Sequence, residues 1–248
     1  TTPKTSPPAN DIINNTIALT SVSIPTDIFK QPEPTPITIK THSALAKEVN
    51  GNKVFYELNA SERWPMASLT KLMTAVIGLE RLGTEEKVTD LVKLMMVTSD
   101  NEAANQLAAL VGDKFVELMN QKAQEIQMYQ TSFFDPSGLS FLNQSTVHDI
   151  DKLVNYIVRY QPQILQWSRE KEMLIGGLIY KNIHKFTGRP DFLGGKTGYT
   201  EDAHGNLVSI FMTANKAIAI IVLGTPDKIE RFAQTQQLLE WILQHFKL

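Results

Sequence analysis

Strand-like sequence lies at both ends of this chain, and helical sequence fills the space between. Apolar and β-branched residues dominate residues 37–58, 173–185 and 192–223. Helical patterns dominate about residues 67–167, and residues 227–246 form one amphipathic helix. Strands from distant parts of the chain must then pair with one another to form a sheet. The order predicts an α+β fold, in which an antiparallel β-sheet flanked by helices is interrupted by an inserted all-helical subdomain.

Turn residues and prolines divide the chain further. Asn50-Gly51 predicts a hairpin turn inside the first strand region. Residues 1–36 hold most of the 12 prolines and favour extended structure, which predicts a Pro-rich N-terminal linker or spacer. We therefore expect the folded domain to cover residues 37–248. The longest apolar run, residues 217–223, is too short to span a membrane.

Ser68 and Lys71 stand three residues apart at the start of the helical block. Pro65 breaks the preceding chain and good helix formers continue through Leu79, so Ser68 is expected in the first turn of a helix. Side chains three apart share one helix face, which lets an amine act as the base for a hydroxyl. The pair predicts a nucleophile and its base, and an ordinary amphipathic helix is the alternative.

The same spacing occurs a second time, in Ser168-Arg-Glu-Lys171. Its neighbours are charged, and no apolar helix follows it. We therefore interpret this second pair as a solvated surface segment.

Thr98-Ser-Asp-Asn101 interrupts two apolar helical stretches with residues that prefer turns and N-caps. Ser99 can be a helix cap. Alternatively, the bend places Ser99 and Asn101 in a cleft, where the hydroxyl would pass a proton and the amide would bind a substrate backbone. The sequence alone leaves both interpretations open.

Lys196-Thr-Gly198 lies in glycine-punctuated, strand-like sequence. The same stretch also resembles the end of a phosphate-binding loop, Gly-x-x-x-x-Gly-Lys-Thr. That loop needs glycine at the position of Pro190 and a helix directly after the threonine, and this sequence favours neither. A strand that carries Lys196, Thr197 and Thr200 can instead bind a carboxylate, while Gly198 permits the close approach of a ligand.

Composition argues against several classes of function. The formal net charge of −2 argues against nucleic acid as a partner. The absence of cysteine excludes disulfides, thiolate catalysis and cysteine-ligated metals. The five histidines show no metal-ligand spacing, and His148-Asp-Ile-Asp151 is better explained as an acidic helix start. We therefore expect no metal and no cofactor.

The three motifs together match the Ser-x-x-Lys, Ser-x-Asn and Lys-Thr-Gly triplet of the serine penicillin-binding proteins and β-lactamases. Within that superfamily the chain resembles the low-molecular-mass D-alanyl-D-alanine carboxypeptidases and endopeptidases. The resemblance extends from about residue 39 to the C-terminus. Residues 52–59 resemble the first hairpin of the family, and residues 133–139 resemble one of its loops.

The resemblance implies a role for each matching residue. Ser68 would be the nucleophile, Lys71 its base and Ser99 the proton relay. The backbone amides of Ser68 and Tyr199 would form the oxyanion hole. For Lys71 to be neutral near pH 7, burial and the charge of Lys196 must lower its pKa. Substrate binding would fall to Asn101, Lys196, Thr197, Gly198 and Thr200.

The resemblance further implies a serine D,D-peptidase, acting as a carboxypeptidase on peptidoglycan stem peptides through an acyl-enzyme. Two alternatives remain open: a D,D-endopeptidase that cleaves cross-links, and a slowly turning over penicillin-binding sensor module. Asp100 stands where the carboxypeptidases commonly have glycine, which leaves the substrate open. β-Lactams are expected as covalent inhibitors. Their rapid hydrolysis is not expected, since no Glu-x-x-Leu-Asn pattern occurs between Leu110 and Lys196.

Such an enzyme would act outside the cytoplasm, in the periplasm or at the surface of a bacterial cell. The chain begins with Thr1 rather than Met, so we expect a processed form. A membrane anchor upstream of residue 1 is compatible with this expectation.

Overall fold

Nine strands and seven α-helices lie within residues 34–247, which are the residues that the computed structural model describes. The strands are β1 (Ser43–Glu48), β2 (Val54–Leu58), β3 (Trp64–Pro65), β4 (Gln144–Ser145), β5 (Glu172–Ile175), β6 (Leu178–Lys181), β7 (Phe192–Thr200), β8 (His204–Met212) and β9 (Ala217–Thr225). The α-helices are α1 (Lys71–Leu82), α2 (Glu86–Val97), α3 (Asn101–Val111), α4 (Phe115–Glu125), α5 (Val147–Tyr160), α6 (Gln163–Arg169) and α7 (Glu230–His245). A 3₁₀ turn, Ala67–Thr70, leads directly into α1.

The main sheet has five antiparallel strands in the order β2-β1-β9-β8-β7. Pairing of β1 with β9, for example Ala44 with Val222, joins the first strands of the domain to the last ones. The predicted α+β fold, with an antiparallel sheet built from distant segments, is therefore confirmed. Two short pairs, β3-β4 and β5-β6, lie outside this sheet and were not predicted as separate sheets.

Both faces of the main sheet are buried. Successive residues of a strand point to opposite faces, so Ile220 and Ile221 of β9 belong to two different apolar clusters. The cluster on one face contains Leu238 and Ile242 of α7. The cluster on the other face contains residues of the helical block, such as Leu72 of α1. This double burial explains why β9 is apolar almost throughout.

Two element boundaries differ from the sequence prediction. Ser68 lies in the 3₁₀ turn rather than in an α-helix, which begins only at Lys71. The C-terminal helix begins at Glu230 rather than at Asp227. The carboxylate of Asp227 accepts hydrogen bonds from the amides of Ile229 and Glu230, at 2.6 and 2.8 Å, so the chain turns before the helix starts.

The predicted linker of residues 1–36 lies almost entirely outside the described residues. The domain boundary at residue 37 therefore stays a prediction. Within residues 34–247, no helix combines the length and the apolar composition that crossing a bilayer requires.

Contact between α1 and α3 gives a test of the packing in the helical block. A Cβ atom on Gly78 would lie 2.4 Å from Cδ2 of Leu107, which is fully buried. We expect Gly78→Ala to lower the free energy of unfolding by about 1–3 kcal/mol through overpacking, although alanine favours a helix more than glycine does. Urea denaturation would measure the change.

Leu107→Ala supplies the control, because it removes the atoms that the new methyl group would meet. The cost of Gly78→Ala should be smaller in that background, and a double-mutant cycle would give the coupling. A Gly78→Ala protein more stable than wild type would show that the two helices do not pack as described.

Candidate active site

Ser68 and Lys71 are brought together by the 3₁₀ turn. Residues three apart lie directly above one another in this geometry, and the Lys71 Nζ lies 2.9 Å from the Ser68 Oγ. Ala67, just before the serine, has a φ of 48°, a conformation that residues other than glycine rarely adopt. The predicted pair of side chains therefore meets, through a tighter turn than the α-helix that the spacing predicted.

Lys71 is fully buried and has three hydrogen-bond acceptors from three segments. Besides Ser68, its Nζ donates to the Oδ1 of Asn101 at 2.6 Å and to the carbonyl of Ser137 at 2.5 Å. An ammonium has three N–H donors, so the three acceptors satisfy the charged form. Loss of one proton would leave a lone pair on Nζ within hydrogen-bonding distance of Ser68, the arrangement that a general base requires.

Burial lowers the pKa of Lys71 to about 8, while the carboxylates of Asp135 and Asp100 act in the opposite direction. The sequence predicted the effect of burial but not the two opposing carboxylates, and the predicted effect of Lys196 is not among the causes of the shift. A lysine with this pKa is neutral in about one molecule in ten at pH 7. The residue is thus poised between its two protonation states near neutral pH.

Ser99 accepts a hydrogen bond from Lys196 and is not a helix cap. The Nζ of Lys196 donates to the Ser99 Oγ at 2.7 Å. The cap of α3 is Asp100, whose carboxylate accepts a hydrogen bond from the amide of Ala103 at 2.7 Å. Ser99 itself has a φ of 62°, and this left-handed conformation turns the chain between α2 and α3. Of the two interpretations left open by the sequence, the structure excludes the cap for Ser99, and the cleft with its proton relay stays a prediction.

Arg231 places positive charge behind the third motif, and the lysine of that motif, Lys196, is fully buried. Burial lowers the pKa of Lys196 well below its ordinary value, and the charges of Lys71 and Arg231 add to this effect. The Nη1 of Arg231, on α7, donates to the carbonyl of Gly198 at 2.7 Å. Burial lowers the pKa of Arg231 to about 10, against the opposing charge of Asp227. Sequence reasoning missed Arg231, which lies in no motif and reaches the site only through the packing of α7.

Strand β7 carries the third motif along the edge of the main sheet, beside the 3₁₀ turn. A Cβ on Gly198 would lie 2.8 Å from the carbonyl oxygen of Met66, so glycine permits this close approach. Thr197 is buried, whereas Tyr199 and Thr200 are partly exposed. A second strand, and no helix, follows the lysine and threonine, which excludes the phosphate-binding loop.

The Thr200 hydroxyl has a partner within its own turn, since its Oγ1 accepts a hydrogen bond from the amide of Ala203 at 3.1 Å. A hydroxyl that accepts in this way retains its proton as a donor. Its predicted part in substrate binding therefore remains compatible with the geometry and stays a prediction. The oxyanion-hole role of the Ser68 and Tyr199 amides is likewise still a prediction.

The prediction that Ser168 lies on the surface is wrong. Ser168 is fully buried, and its Oγ donates to the carbonyl of Leu165 and accepts from the amide of Gly195, both at 2.9 Å. The reason is the contact of α6 with β7, where the strand has an irregular register between Phe192 and Gly194. Lys171 is exposed, as predicted. The second Ser-x-x-Lys sequence is therefore structural.

Asp135 organises the loop that follows α4, and sequence reasoning gave it no role. Its Oδ1 accepts hydrogen bonds from the amide and hydroxyl of Ser137 and from the amide of Gly138, at 2.6–2.7 Å. Burial would raise the pKa of Asp135, but these hydrogen bonds and one from the amide of Ser140 outweigh it and lower the pKa. The resulting carboxylate holds in place the Ser137 carbonyl that binds Lys71.

Gly138 brings the same loop against the nucleophile. Its φ is 86°, and a Cβ there would lie 2.0 Å from the carbonyl oxygen of Ala67. Only glycine fits both the conformation and the space. The Asp-Pro-Ser-Gly sequence is thus the signal that could have identified this loop as part of the site.

His184 is buried beside β8, where its ring nitrogen approaches the carbonyl of Val208. Burial lowers the pKa of His184 to about 3, and the charges of Lys196 and Arg231 add to this, so its ring stays neutral beneath β7. At the His148 cluster Thr146 caps α5, and Asp149 forms an ion pair with Lys152. The predicted acidic helix start is confirmed.

The chain is similar to known proteins over most of its length. Residues 29–82 and 79–227 match a family profile described as D-alanyl-D-alanine carboxypeptidase, of the peptidase S11 type. The chain is 31% identical to a D-alanyl-D-alanine endopeptidase of Escherichia coli K12, over 86% of this chain and 78% of that protein. It is 28% identical to a D-alanyl-D-alanine endopeptidase of Pseudomonas aeruginosa, over 94% and 88%.

A solved structure shows the same fold. Penicillin-binding protein D2 of Listeria monocytogenes, in its cefotaxime-bound form, superposes with a TM-score of 0.78. The sequences are 25% identical, and the match covers 84% of this chain and 98% of that one.

Asp100 offers a test of the electrostatics around Lys71. Asp100→Asn keeps a side chain that can cap α3 but removes the negative charge. Because Asp100 raises the pKa of Lys71, we expect the variant to lower that pKa below its value of about 8. Titration of the ¹⁵Nζ resonance of Lys71 by NMR, assigned with Lys71→Ala, would measure it.

Asp90→Asn is a matched control, since this aspartate pairs with Lys93 on α2 and is not among the groups that shift Lys71. The Lys71 titration should be unchanged there. A Lys71 pKa that stays constant or rises in Asp100→Asn would contradict the electrostatic argument.

Proposed function

Because this chain belongs to the D-alanyl-D-alanine carboxypeptidase family of serine peptidases, we propose that Ser68 cleaves D-Ala-D-Ala-type bonds of peptidoglycan stem peptides through an acyl-enzyme. The chain is thus a hydrolase, a serine D,D-peptidase. One observation carries the assignment of the nucleophile: the buried Lys71 amine lies within hydrogen-bonding distance of both Ser68 and Asn101.

Acylation would begin with transfer of the Ser68 proton to neutral Lys71 as the Oγ attacks the substrate carbonyl carbon. The backbone amides of Ser68 and Tyr199 would stabilise the oxyanion, at about 3–4 kcal/mol for one donor. As the C–N bond breaks, Ser99 would relay to the leaving amine the proton that Lys71 took from Ser68, which leaves Lys71 neutral again. The hydrogen bond of Ser99 with Lys196 fixes the hydroxyl for this step.

In deacylation, a water molecule would replace Ser68 as the nucleophile, and Lys71 would again act as the base. The water molecule would give a proton to Lys71, attack the acyl carbon and release the shortened peptide, with the proton returning to Ser68. Acylation by a β-lactam would use the same first step. The related Listeria protein has been crystallised in cefotaxime-bound and ampicillin-bound forms, which supports β-lactams as covalent inhibitors of this chain.

Substrate binding would use the remaining motif residues. Asn101 binds Lys71 through its Oδ1, so its Nδ2 is the donor that a substrate carbonyl would meet. Lys196, Thr197 and Thr200 would bind the terminal carboxylate, where the positive charge of the neighbouring Arg231 favours an anion. Gly198 would let the substrate approach the edge of β7 closely.

Two D,D-peptidase activities fit this site. The family description supports carboxypeptidase action, which releases the terminal D-Ala. The endopeptidases of E. coli and P. aeruginosa support a second candidate, hydrolysis of the peptide cross-link. Asp100 in the second motif also favours the second candidate, since the carboxypeptidases commonly have glycine there.

We further propose that residues 1–36 are a spacer and that the enzyme acts outside the cytoplasm, tethered by an N-terminal anchor.

Ser68→Ala tests the nucleophile. We expect it to abolish labelling by a fluorescent penicillin and to lower peptide hydrolysis by at least about a thousandfold, because the acyl-enzyme would form on the hydroxyl that it removes. Ser61→Ala, at an exposed serine, is the matched control and should label like wild type. Undiminished labelling of Ser68→Ala would refute the assignment.

A second experiment, on the wild-type protein, would separate the candidate activities. Wild type is incubated with a D-Ala-D-Ala pentapeptide and with a cross-linked dimer, and the products are resolved by chromatography. Free D-Ala indicates carboxypeptidase action, monomers from the dimer indicate endopeptidase action, and labelling without either product indicates a sensor.

The pKa of Lys71 predicts a pH dependence for acylation. The base acts only when neutral, so the second-order rate of penicillin labelling should rise with pH through about 8 and level off above it. Stopped-flow fluorescence between about pH 6 and pH 10 would give this profile. A rate that stays flat or falls through this range would show that Lys71 is not the base.

A further inference from the structure

Arg231 is a buried cation whose donors are not all satisfied. The residue is 7% exposed, and its Nη1 donates a hydrogen bond to the carbonyl of Gly198 at 2.7 Å. Its Nε has no hydrogen-bond partner among the described residues. Burying a cation is costly unless its donors are satisfied, so packing alone gives no reason for an arginine here. The partner that it does have is the backbone of the third motif.

The carbonyl that Arg231 binds belongs to the same peptide group as the amide of Tyr199. Peptide groups are planar, and those between the described residues are all trans. The C=O and N–H of a trans peptide point in opposite directions, so the Tyr199 N–H points away from Arg231. This amide is one of the two donors proposed for the oxyanion hole. The arginine therefore holds that donor on the side opposite to its hydrogen.

The turn that carries the second donor, Ser68, lies against the same peptide. A Cβ on Gly198 would lie 2.8 Å from the carbonyl oxygen of Met66 and 3.3 Å from the amide nitrogen of Leu69. These two residues flank Ser68 on either side in the chain. The two proposed donors thus belong to backbone segments that are in contact.

A second buried polar side chain, Asn206, ties the nucleophile segment to the sheet. Asn206 lies opposite Gly198 in the pairing of β7 with β8, and it is fully buried. Its Nδ2 donates to the carbonyl of Pro65 and its Oδ1 accepts from the amide of Gly224, both at 2.8 Å. Hydrogen bonds therefore fix the segment before Ser68 relative to the strands.

We propose that Arg231 is a positioning residue of the oxyanion hole, which orients and polarises the Gly198–Tyr199 peptide through its hydrogen bond to the carbonyl. This inference rests on the proposed function. A hydrogen bond from a cation draws electron density towards the carbonyl oxygen and makes the N–H of the same peptide a stronger donor. Burial strengthens this effect, because the local dielectric is low. The gain is largest in the transition state, when the substrate oxygen carries negative charge.

The charge of Arg231 also favours a substrate carboxylate, and the two effects differ in their kinetics. Attraction of a carboxylate is already present in the bound substrate, so its loss raises the dissociation constant. Polarisation of an oxyanion donor acts as the oxyanion forms, so its loss lowers the rate constant of acylation at saturation. An experiment that measures both constants therefore separates the two roles.

Arg231→Gln tests the hydrogen bond without any substrate. Glutamine is neutral and too short to replace the guanidinium at the Gly198 carbonyl. In protein labelled with ¹⁵N-tyrosine, we expect the amide nitrogen of Tyr199 to shift to lower frequency, because its peptide loses a charged partner. Tyr199→Phe assigns the resonance. The other five of the six tyrosines report whether the fold is kept.

Rapid-quench labelling with a fluorescent penicillin at several concentrations gives the acylation rate constant and the dissociation constant separately. We expect Arg231→Gln to lower the rate constant by about tenfold, which is less than the hundredfold or more that loss of a whole donor costs. In the acyl-enzyme, difference infrared spectra should show the ester carbonyl at a higher wavenumber, because a weaker donor polarises it less.

Arg189→Met is the matched control. Arg189 also contacts α7, through Gln236, but it binds the carboxylate of Asp191 and not the third motif. The variant removes one positive charge and leaves the Gly198 carbonyl untouched. The Tyr199 resonance, both kinetic constants and the ester carbonyl should match those of wild type.

The outcomes separate the inference from the proposed function. A Tyr199 resonance that stays in place in Arg231→Gln would overturn the inference, whether or not wild type reacts with penicillin. A higher dissociation constant with an unchanged rate constant, or slower acylation with an unmoved ester carbonyl, would overturn it as well. Wild type that forms no acyl-enzyme would refute the proposed function. Should Arg231→Gln not fold, Arg231→Met fills the space with an apolar chain and is judged by the same measurements.

Discussion

The buried amine of Lys71 is the interaction on which the candidate site depends. Its three acceptors come from a 3₁₀ turn, from the start of α3 and from the loop after α4. Removing an ammonium from water is costly unless its donors are satisfied, so these segments are constrained to meet at one point. The carboxylates of Asp135 and Asp100 offset part of the cost of burial and keep the pKa of Lys71 near 8. Without them burial would lower the pKa further.

Backbone strain lies at and next to the candidate catalytic residues. Ala67 and Ser99 both have positive φ angles, and they lie immediately before Ser68 and Asp100. Conformations of this kind cost about 1–3 kcal/mol each and persist only where the surrounding structure imposes them. Here the imposing contacts are visible: Gly138 packs on Ala67, and Lys196 binds the Ser99 hydroxyl. Both strained residues thus lie at contacts between separate segments of the candidate site.

Local patterns in the sequence predicted the helices and strands. Contacts between distant segments determined the features that those patterns could not predict. Ser68 and Lys71 meet because they are three residues apart, and the sheet follows from strand-like sequence at both ends. Ser168 has the same local pattern as Ser68, yet it is buried because α6 packs on β7. Arg231 reaches Gly198 from a helix 33 residues further along the chain, and no periodicity or motif marks such a contact.

The middle residue of the second motif acts on the base more than on the helix. Asp100 caps α3 and also raises the pKa of Lys71. Glycine at an N-cap costs only a few tenths of a kcal/mol relative to aspartate, so the helix would tolerate the glycine that carboxypeptidases commonly have there. The same change would remove one of two carboxylates that hold the amine in its charged form. Variation at this position therefore adjusts the fraction of neutral Lys71 at a given pH, while Ser68, Ser99 and Lys196 stay in place.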